Sequence, residues 1–123
     1  VLADRNYFSE ALYNIMTNAW EANLEAGRGD RPISVSSHME RLWTAIEVRD
    51  QGVGISRGAQ KKIFDPFYSS KNSNTSWGMG LYHARTIVRA HLGSLRVESA
   101  PGQGTAFLIL LPRYDSRQRR KEE

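Results

Sequence analysis

Residues 49–56 read RDQGVGIS, directly after the apolar run LWTAIEV at 42–48. One carboxylate, Asp50, is followed by glycines at alternate positions, Gly52 and Gly54. The apolar run has the composition of a strand, and the acid and glycines end it. Glycine is used where the backbone needs positive φ or must approach something closely. The stretch therefore asks what approaches the chain at the end of this strand. Asp before Gly is also ordinary turn chemistry, so D-x-G-x-G decides the fold only in the company of its neighbours.

Upstream, residues 5–26 predict a long helix, because Phe8, Leu12, Ile15, Ala19, Ala22 and Ala26 recur at helical spacing. Asp4 suits its N-cap and Gly27 its stop. A second stripe, Asn14, Asn18, Glu21 and Glu25, runs at steps of four, three and four beside the apolar face. Amide oxygens there suit a Mg²⁺ ion that keeps waters and shares phosphate oxygens; solvated asparagines on a helix flank are the plain alternative. GRGDRP at 27–32 is rich in turn formers, and 33–39 and 42–48 read as two short strands joined as a hairpin.

Downstream, 56–64 predicts a short helix starting near Ser56, and DPFYSSKNSNTSWG at 65–78 an aperiodic, mobile loop. Residues 79–93 return to helical period, with Leu81, Ala84, Ile87, Val88 and His91 on one side and Gly93 closing the helix. Gly78 and Gly80 open it; backbone N–H groups at a helix start hold anions, and glycine lets a phosphate come close. Lys71, Ser69 and Ser70 precede it as candidate contacts for a terminal phosphate, with a solvated loop lysine as the alternative. Residues 94–100 alternate as a strand, PGQG at 101–104 is a turn whose Gly102 and Gly104 read as turn formers, and TAFLILLP at 105–112 is a buried-type strand. The order αββααββ predicts an α+β two-layer sandwich: a mixed, mostly antiparallel sheet covered on one face by about three helices.

The chain has 123 residues, 40 % of them apolar, which suits one globular domain, read here as an excised piece of a longer parent. It has no cysteine, so disulfides and thiolate metal sites are excluded. No run reaches the ~20 apolar residues of a membrane span. The net charge is +4, with much of the excess in the tail RYDSRQRRKEE at 113–123. Beyond Tyr114 that tail lacks interleaved aromatics, so it reads as a disordered, solvated terminus and no nucleic-acid partner is expected. His38, His83 and His91 have no metal spacing.

The motifs gain weight from their order: N-x-x-x-N-A on a helix, D-x-G-x-G at a strand end, F-x-x-F, G-x-G-L opening a helix, and G-x-G-T between strands. In that order, from about Asp4 to Pro112, the chain resembles the catalytic, ATP-binding domain of bacterial sensor histidine kinases, of the GHKL (Bergerat-fold) superfamily. NIMTNAWEA resembles the asparagine box, DQGVGI the first glycine box, IFDPFYSSK the phenylalanine box, and GMGLYHARTIVRAHLG onward the second glycine box. The resemblance implies ATP and Mg²⁺ as cofactors. It implies that Asn18 is the protein ligand to Mg²⁺ and that Asn14 lines the phosphate side. Asn14, Asn18 and Lys71 would be the residues nearest the chemistry. Asp50 would receive the adenine amine, Gly52 and Gly54 would let the backbone pass the base, and Ile55 would pack near it. Glu21, Ala22, Met79, Leu81 and Thr105 would line the same pocket. Phe64 and Phe67 would anchor a lid at about 68–77, and Gly78 and Gly80 would frame the phosphates.

Three departures from the family pattern stand out. Ser76 and Trp77 occupy the first two places of the second glycine box, Gln51 replaces the usual asparagine of the first, and Glu21 stands where many members have a basic residue. Phosphate charge would then be met by Lys71 or Arg85. The family implies a homodimeric, cytoplasmically disposed parent, attached to a membrane only through other regions. Its ATP-binding domain (1–112 here) would serve a histidine on a separate dimerisation domain and, indirectly, a response regulator. No histidine here has the phosphoacceptor context, so the chain is expected to bind ATP without completing histidine phosphorylation by itself. Hydrolytic relatives carry a glutamate where this chain has Asn14, and an amide cannot accept a proton from water. Serine-directed anti-sigma kinases share the fold and stay open. A non-enzymatic docking module also stays open, because Tyr13, Trp20 and Leu24 give the first helix an apolar outer face.

Overall fold

The computed structural model describes residues 5–66 and 80–113. Its elements are α1 Arg5–Glu25, β1 Ser34–Met39, β2 Trp43–Arg49, α2 Arg57–Gln60, α3 Gly80–Ala90, β3 Ser94–Ser99 and β4 Thr105–Pro112. Asp4, the expected lid and, Arg113 apart, the expected tail lie outside the described residues.

The strands form one sheet in the order β1-β2-β4-β3. Every pairing among the described strands is antiparallel, in keeping with the mostly antiparallel sheet expected. Period-two alternation sends Val48, Phe107, Ile109, Leu111 and Leu95 to one face, and the register sets Val48 opposite Phe107 and Leu95 opposite Ile109. Onto that face α1 lays Ala11, Ile15 and Ala19, and α3 lays Ala84, Ile87 and Val88, all in one core cluster. Of the stripe predicted for α1, Ile15, Ala19 and Ala22 are buried and Phe8 and Leu12 pack half-buried against the core, Ala11 joins them, and Ala26 falls one residue past the end of the helix. The alanines let α1 run close to α3. His91 closes this seam: its ring meets Phe8 edge-on at 5.9 Å, and its Nδ1 lies 2.8 Å from the Ile87 carbonyl oxygen.

Both long helices end in the same way. At α1 the Arg28 N–H reaches back to the Asn23 carbonyl, and at α3 the Gly93 N–H reaches back to that of Val88. At α3 the left-handed residue is Leu92 (φ 63°), not the expected Gly93. Gly93 is needed for space: a Cβ there would run into the Leu110 carbonyl oxygen. The predicted helix at 56–64 is shorter, four residues capped by Ser56, whose Oγ accepts the Ala59 N–H.

Candidate functional site

The site is built where β2 ends. Asp50 continues the β2–β4 pairing by one step, its N–H donating to the Thr105 carbonyl at 2.9 Å. Its side chain turns back on the same corner. Oδ1 accepts the Gly52 N–H at 2.9 Å and the Thr105 N–H at 3.1 Å. The carboxyl group is buried, held by main-chain donors from two separate segments. Such a group is locked in orientation, because a rotation would leave buried N–H groups without acceptors.

The chain's own packing requires the glycines after Asp50. A Cβ on Gly52 would lie 2.5 Å from the Ala22 carbonyl carbon, so this glycine lets the loop rest on α1. A Cβ on Gly54 would collide with the Ala100 carbonyl oxygen, and its φ of 77° already favours glycine. Gly104 likewise makes room for the Asp50 carbonyl. Gly102 and Gly104 both have positive φ, as turn formers do.

Further bonds fasten the 50–55 loop to the 99–105 turn. The Gly102 N–H donates to the Val53 carbonyl at 2.7 Å, and the Ile55 N–H to Ser99 Oγ at 2.8 Å. Gln60, in α2, donates from Nε2 to the carbonyls of Ile55 and Ser99. On the other side Asn23 accepts the Gln51 N–H at 2.8 Å and donates to the Arg31 carbonyl at 3.2 Å. Arg28 donates to the Gln51 carbonyl, and Arg31 to Gln51 Oε1. The departure at position 51 thus serves a latch between α1, the 27–32 loop and the strand end.

Ala22 touches Gly52, and Asn18 stands one helical turn before it on the same side of α1, with Asn14 one turn earlier still. Asn14, Asn18 and Glu21 are half-buried, and Ala22 is buried. The amide stripe and the Asp50 corner therefore border one region. Thr105 is buried there, and Ile55 and Leu81 pack against the core. Phe64 meets Phe107 edge-on at 6.4 Å, and the Arg85 guanidinium sits 5.3 Å from the Phe64 ring centre. Arg85, considered for phosphate, is engaged there with an aromatic face. Gly80 opens α3, and a Cβ on it would meet nothing within 4 Å. Phe67, Lys71, Gly78 and Met79 lie outside the described residues.

No group of three or more His, Cys, Asp or Glu side chains suited to a metal occurs among the described residues. The oxygen donors on this flank of α1 are the amides Asn14 and Asn18 with Glu21 beside them, a set that fits Mg²⁺ carried largely by water and phosphate.

Two contributors were missed in the sequence: Asn23, fully buried, and Ser99. Both had a signal. Asn23 stands four residues after Ala19 on the apolar stripe, and Ser99 follows Leu95 and Val97 at the inward period of β3. A polar residue on a buried face is hydrogen-bonded to something.

Residues 3–115 match the family described as histidine kinase-, DNA gyrase B-, and HSP90-like ATPase. The signal transduction histidine-protein kinase AtoS of Escherichia coli (strain K12) is 41 % identical over 110 residues, 89 % of this chain and 17 % of that protein. The sensor histidine kinase WalK of Bacillus subtilis (strain 168) is 34 % identical over 113 residues, 89 % of this chain and 18 % of that protein. The chain thus spans under a fifth of the length of either relative. The solved structure of the mycobacterial sensor histidine kinase MprB superposes with a TM-score of 0.77 at 28 % identity, covering 91 % of this chain and 76 % of that one. With the buried carboxyl, the amide helix and the glycine turns in their family order, the chain belongs to the histidine kinase-, DNA gyrase B- and HSP90-like ATPases, as a catalytic ATP-binding domain of the sensor-histidine-kinase kind.

Proposed function

We propose that this domain holds Mg-ATP and presents its γ-phosphate to a histidine on a separate dimerisation domain, in a parent that signals to a response regulator. The observation that carries the reading is the Asp50 corner, where a buried carboxyl group is oriented by the Gly52 and Thr105 N–H groups beside an amide-bearing helix. A carboxylate so held is preorganised to accept an exocyclic amine, which selects adenine. Asn18 would hold the metal through its amide oxygen, Asn14 would line the phosphates, and Glu21, Ala22, Ile55, Leu81 and Thr105 would complete the pocket. Phe64 would anchor the lid with Phe67, and Lys71, Gly78, Met79 and Gly80 would meet the phosphates. Bound Mg²⁺ supplies charge neutralisation on the phosphate oxygens. The chain's own part is to bind and orient, which is most of what phosphoryl transfer asks of a protein.

Asn14 favours transfer to a histidine over hydrolysis, since no amide can act as general base toward water. No helix among the described residues is long and apolar enough to cross a membrane; a cytoplasmic disposition of the domain is part of the proposal, as are the homodimeric parent and the division into one ATP-binding domain at 1–112 and a tail at 113–123.

Calorimetric titration of ATP, with and without Mg²⁺, on the chain and on Asp50→Asn tests the reading. The expected result is Mg²⁺-dependent binding, weakened at least tenfold in the variant, because a hydrogen bond to a charged group contributes about 1.5–3 kcal/mol. Equal affinity in both proteins would remove Asp50 from the base site.

A further inference from the structure

Among the described residues, the Ser99 side chain joins the 50–55 loop to the two residues that end the 99–105 turn. Its Oγ has three partners, each at 2.8 Å: the Ile55 N–H, the Gly104 carbonyl oxygen and Thr105 Oγ1. A hydroxyl has one proton to donate and two lone pairs. The Gly104 carbonyl can only accept, so the Ser99 proton goes there. The Ile55 N–H can only donate, so it takes one lone pair. The lone pair that remains faces Thr105 Oγ1, and only Thr105 can supply the proton between them.

We infer that Ser99 fixes the proton of the Thr105 hydroxyl, so that Thr105 offers a nucleotide an oxygen that accepts and does not donate. Thr105 is buried, and Ser99 Oγ is the hydroxyl that its own hydroxyl faces at 2.8 Å. Its N–H is already given to Asp50 Oδ1, and its carbonyl oxygen already accepts the Asp50 N–H. The side-chain oxygens of Asp50 and Thr105 therefore present acceptors alone. That polarity matches a purine with an amine at C6 and opposes one with a carbonyl there. A site whose polar groups face the wrong partner rejects it more strongly than one that differs only in shape. Ser99 is thus a positioning residue that sets base specificity through Thr105. The inference rests on the adenine reading of Asp50 and adds to it the group that enforces the choice.

The test is competition of ATP and inosine triphosphate against a fluorescent ATP analogue on the 123-residue chain. Ser99→Ala frees the Thr105 hydroxyl to turn and donate to a 6-oxo group. The ATP preference is expected to fall about tenfold, mainly through tighter inosine triphosphate binding, as one gained hydrogen bond allows. With Thr105→Val already present, the same change at Ser99 leaves the ratio unmoved, because no hydroxyl remains to be released. Ser99→Thr keeps the hydroxyl and keeps the wild-type ratio. Should Ser99→Ala not fold, Ser99→Cys retains the volume with a weaker donor and acceptor, and its ratio falls part of the way. Equal weakening of both nucleotides, an unchanged ratio in Ser99→Ala (or in Ser99→Cys where that variant replaces it), or an undiminished shift in the Thr105→Val chain would overturn the inference and leave Ser99 a brace for the turn. A wild-type chain that binds ATP and inosine triphosphate equally would instead remove the adenine reading itself, and this inference with it.

Discussion

Two sets of glycines in this chain look alike in sequence and differ in what surrounds them. Gly52 and Gly54 are hemmed in by the protein's own backbone: Ala22 of α1 on one side, Ala100 of the 99–105 turn on the other. Gly80, at the start of α3, has open space where a Cβ would go and no need of positive φ. Glycine at a helix position is unfavourable by roughly 0.5–1 kcal/mol relative to alanine. The first pair therefore answers to folding, whereas the internal packing of the described residues gives no reason for Gly80. A glycine without an internal reason is where an outside group, here the phosphates of a nucleotide, is expected to come close.

Substitution separates the two sets. The largest effect is expected from Gly54→Ala, which combines a left-handed backbone with a collision at Ala100; a loss of about 3–4 kcal/mol follows from the two costs together, read by urea denaturation. Gly52→Ala lacks the φ penalty and should cost about 1–3 kcal/mol by forcing the loop off α1. If either variant were as stable as the wild type, the chain's own packing would not be what demands those glycines. Asn23→Ala probes the latch on the same side. It leaves the partly buried Gln51 N–H without its acceptor and should cost about 1–3 kcal/mol, with Asn23→Asp, which can still accept that N–H, recovering part of it.

Leu92→Gly sharpens the comparison from the opposite direction. There a left-handed position holds an exposed leucine, and relief of strain should add about 1 kcal/mol of stability. The smallest stability change belongs to Gly80→Ala, at the first position of α3 where little of the helix-interior penalty on glycine applies, a gain of under about 0.5 kcal/mol, accompanied by weaker ATP binding in calorimetry. Unchanged ATP affinity in that variant would mean no phosphate approaches the start of α3.

A similar contrast divides the two flanks of α1. One carries Asn14, Asn18 and Glu21 toward the Asp50 corner; the other leaves Tyr13, Met16, Trp20 and Leu24 exposed. The apolar outer face was expected from helical spacing, and nothing among the described residues covers it.

Periodicity made much of the architecture legible in advance. The continuous apolar run TAFLILLP marks β4 with the ends observed, and the stripe from Phe8 to Ala26 marks the end of α1 to within one residue. Those signals are strong because each repeats several times along one element. What was not legible involves single residues answering to distant partners. The four-residue α2 is too short for a period, Gly93 is demanded by the distant Leu110 carbonyl while the left-handed turn falls on Leu92, and Asn23 and Ser99 are common polar residues whose meaning lies in what they meet.

By itself, then, the amino-acid sequence determined the element order, the buried faces and the family, because side-chain period and ordered motifs are local properties that survive without coordinates. Only the tertiary structure decided why the glycines after Asp50 are glycines, which main-chain donors hold its carboxyl, and where the protons of Ser99 and Thr105 go. Each of those depends on segments far apart in the chain arriving within hydrogen-bonding distance, and a hydrogen bond's direction is settled only when all its partners are present together.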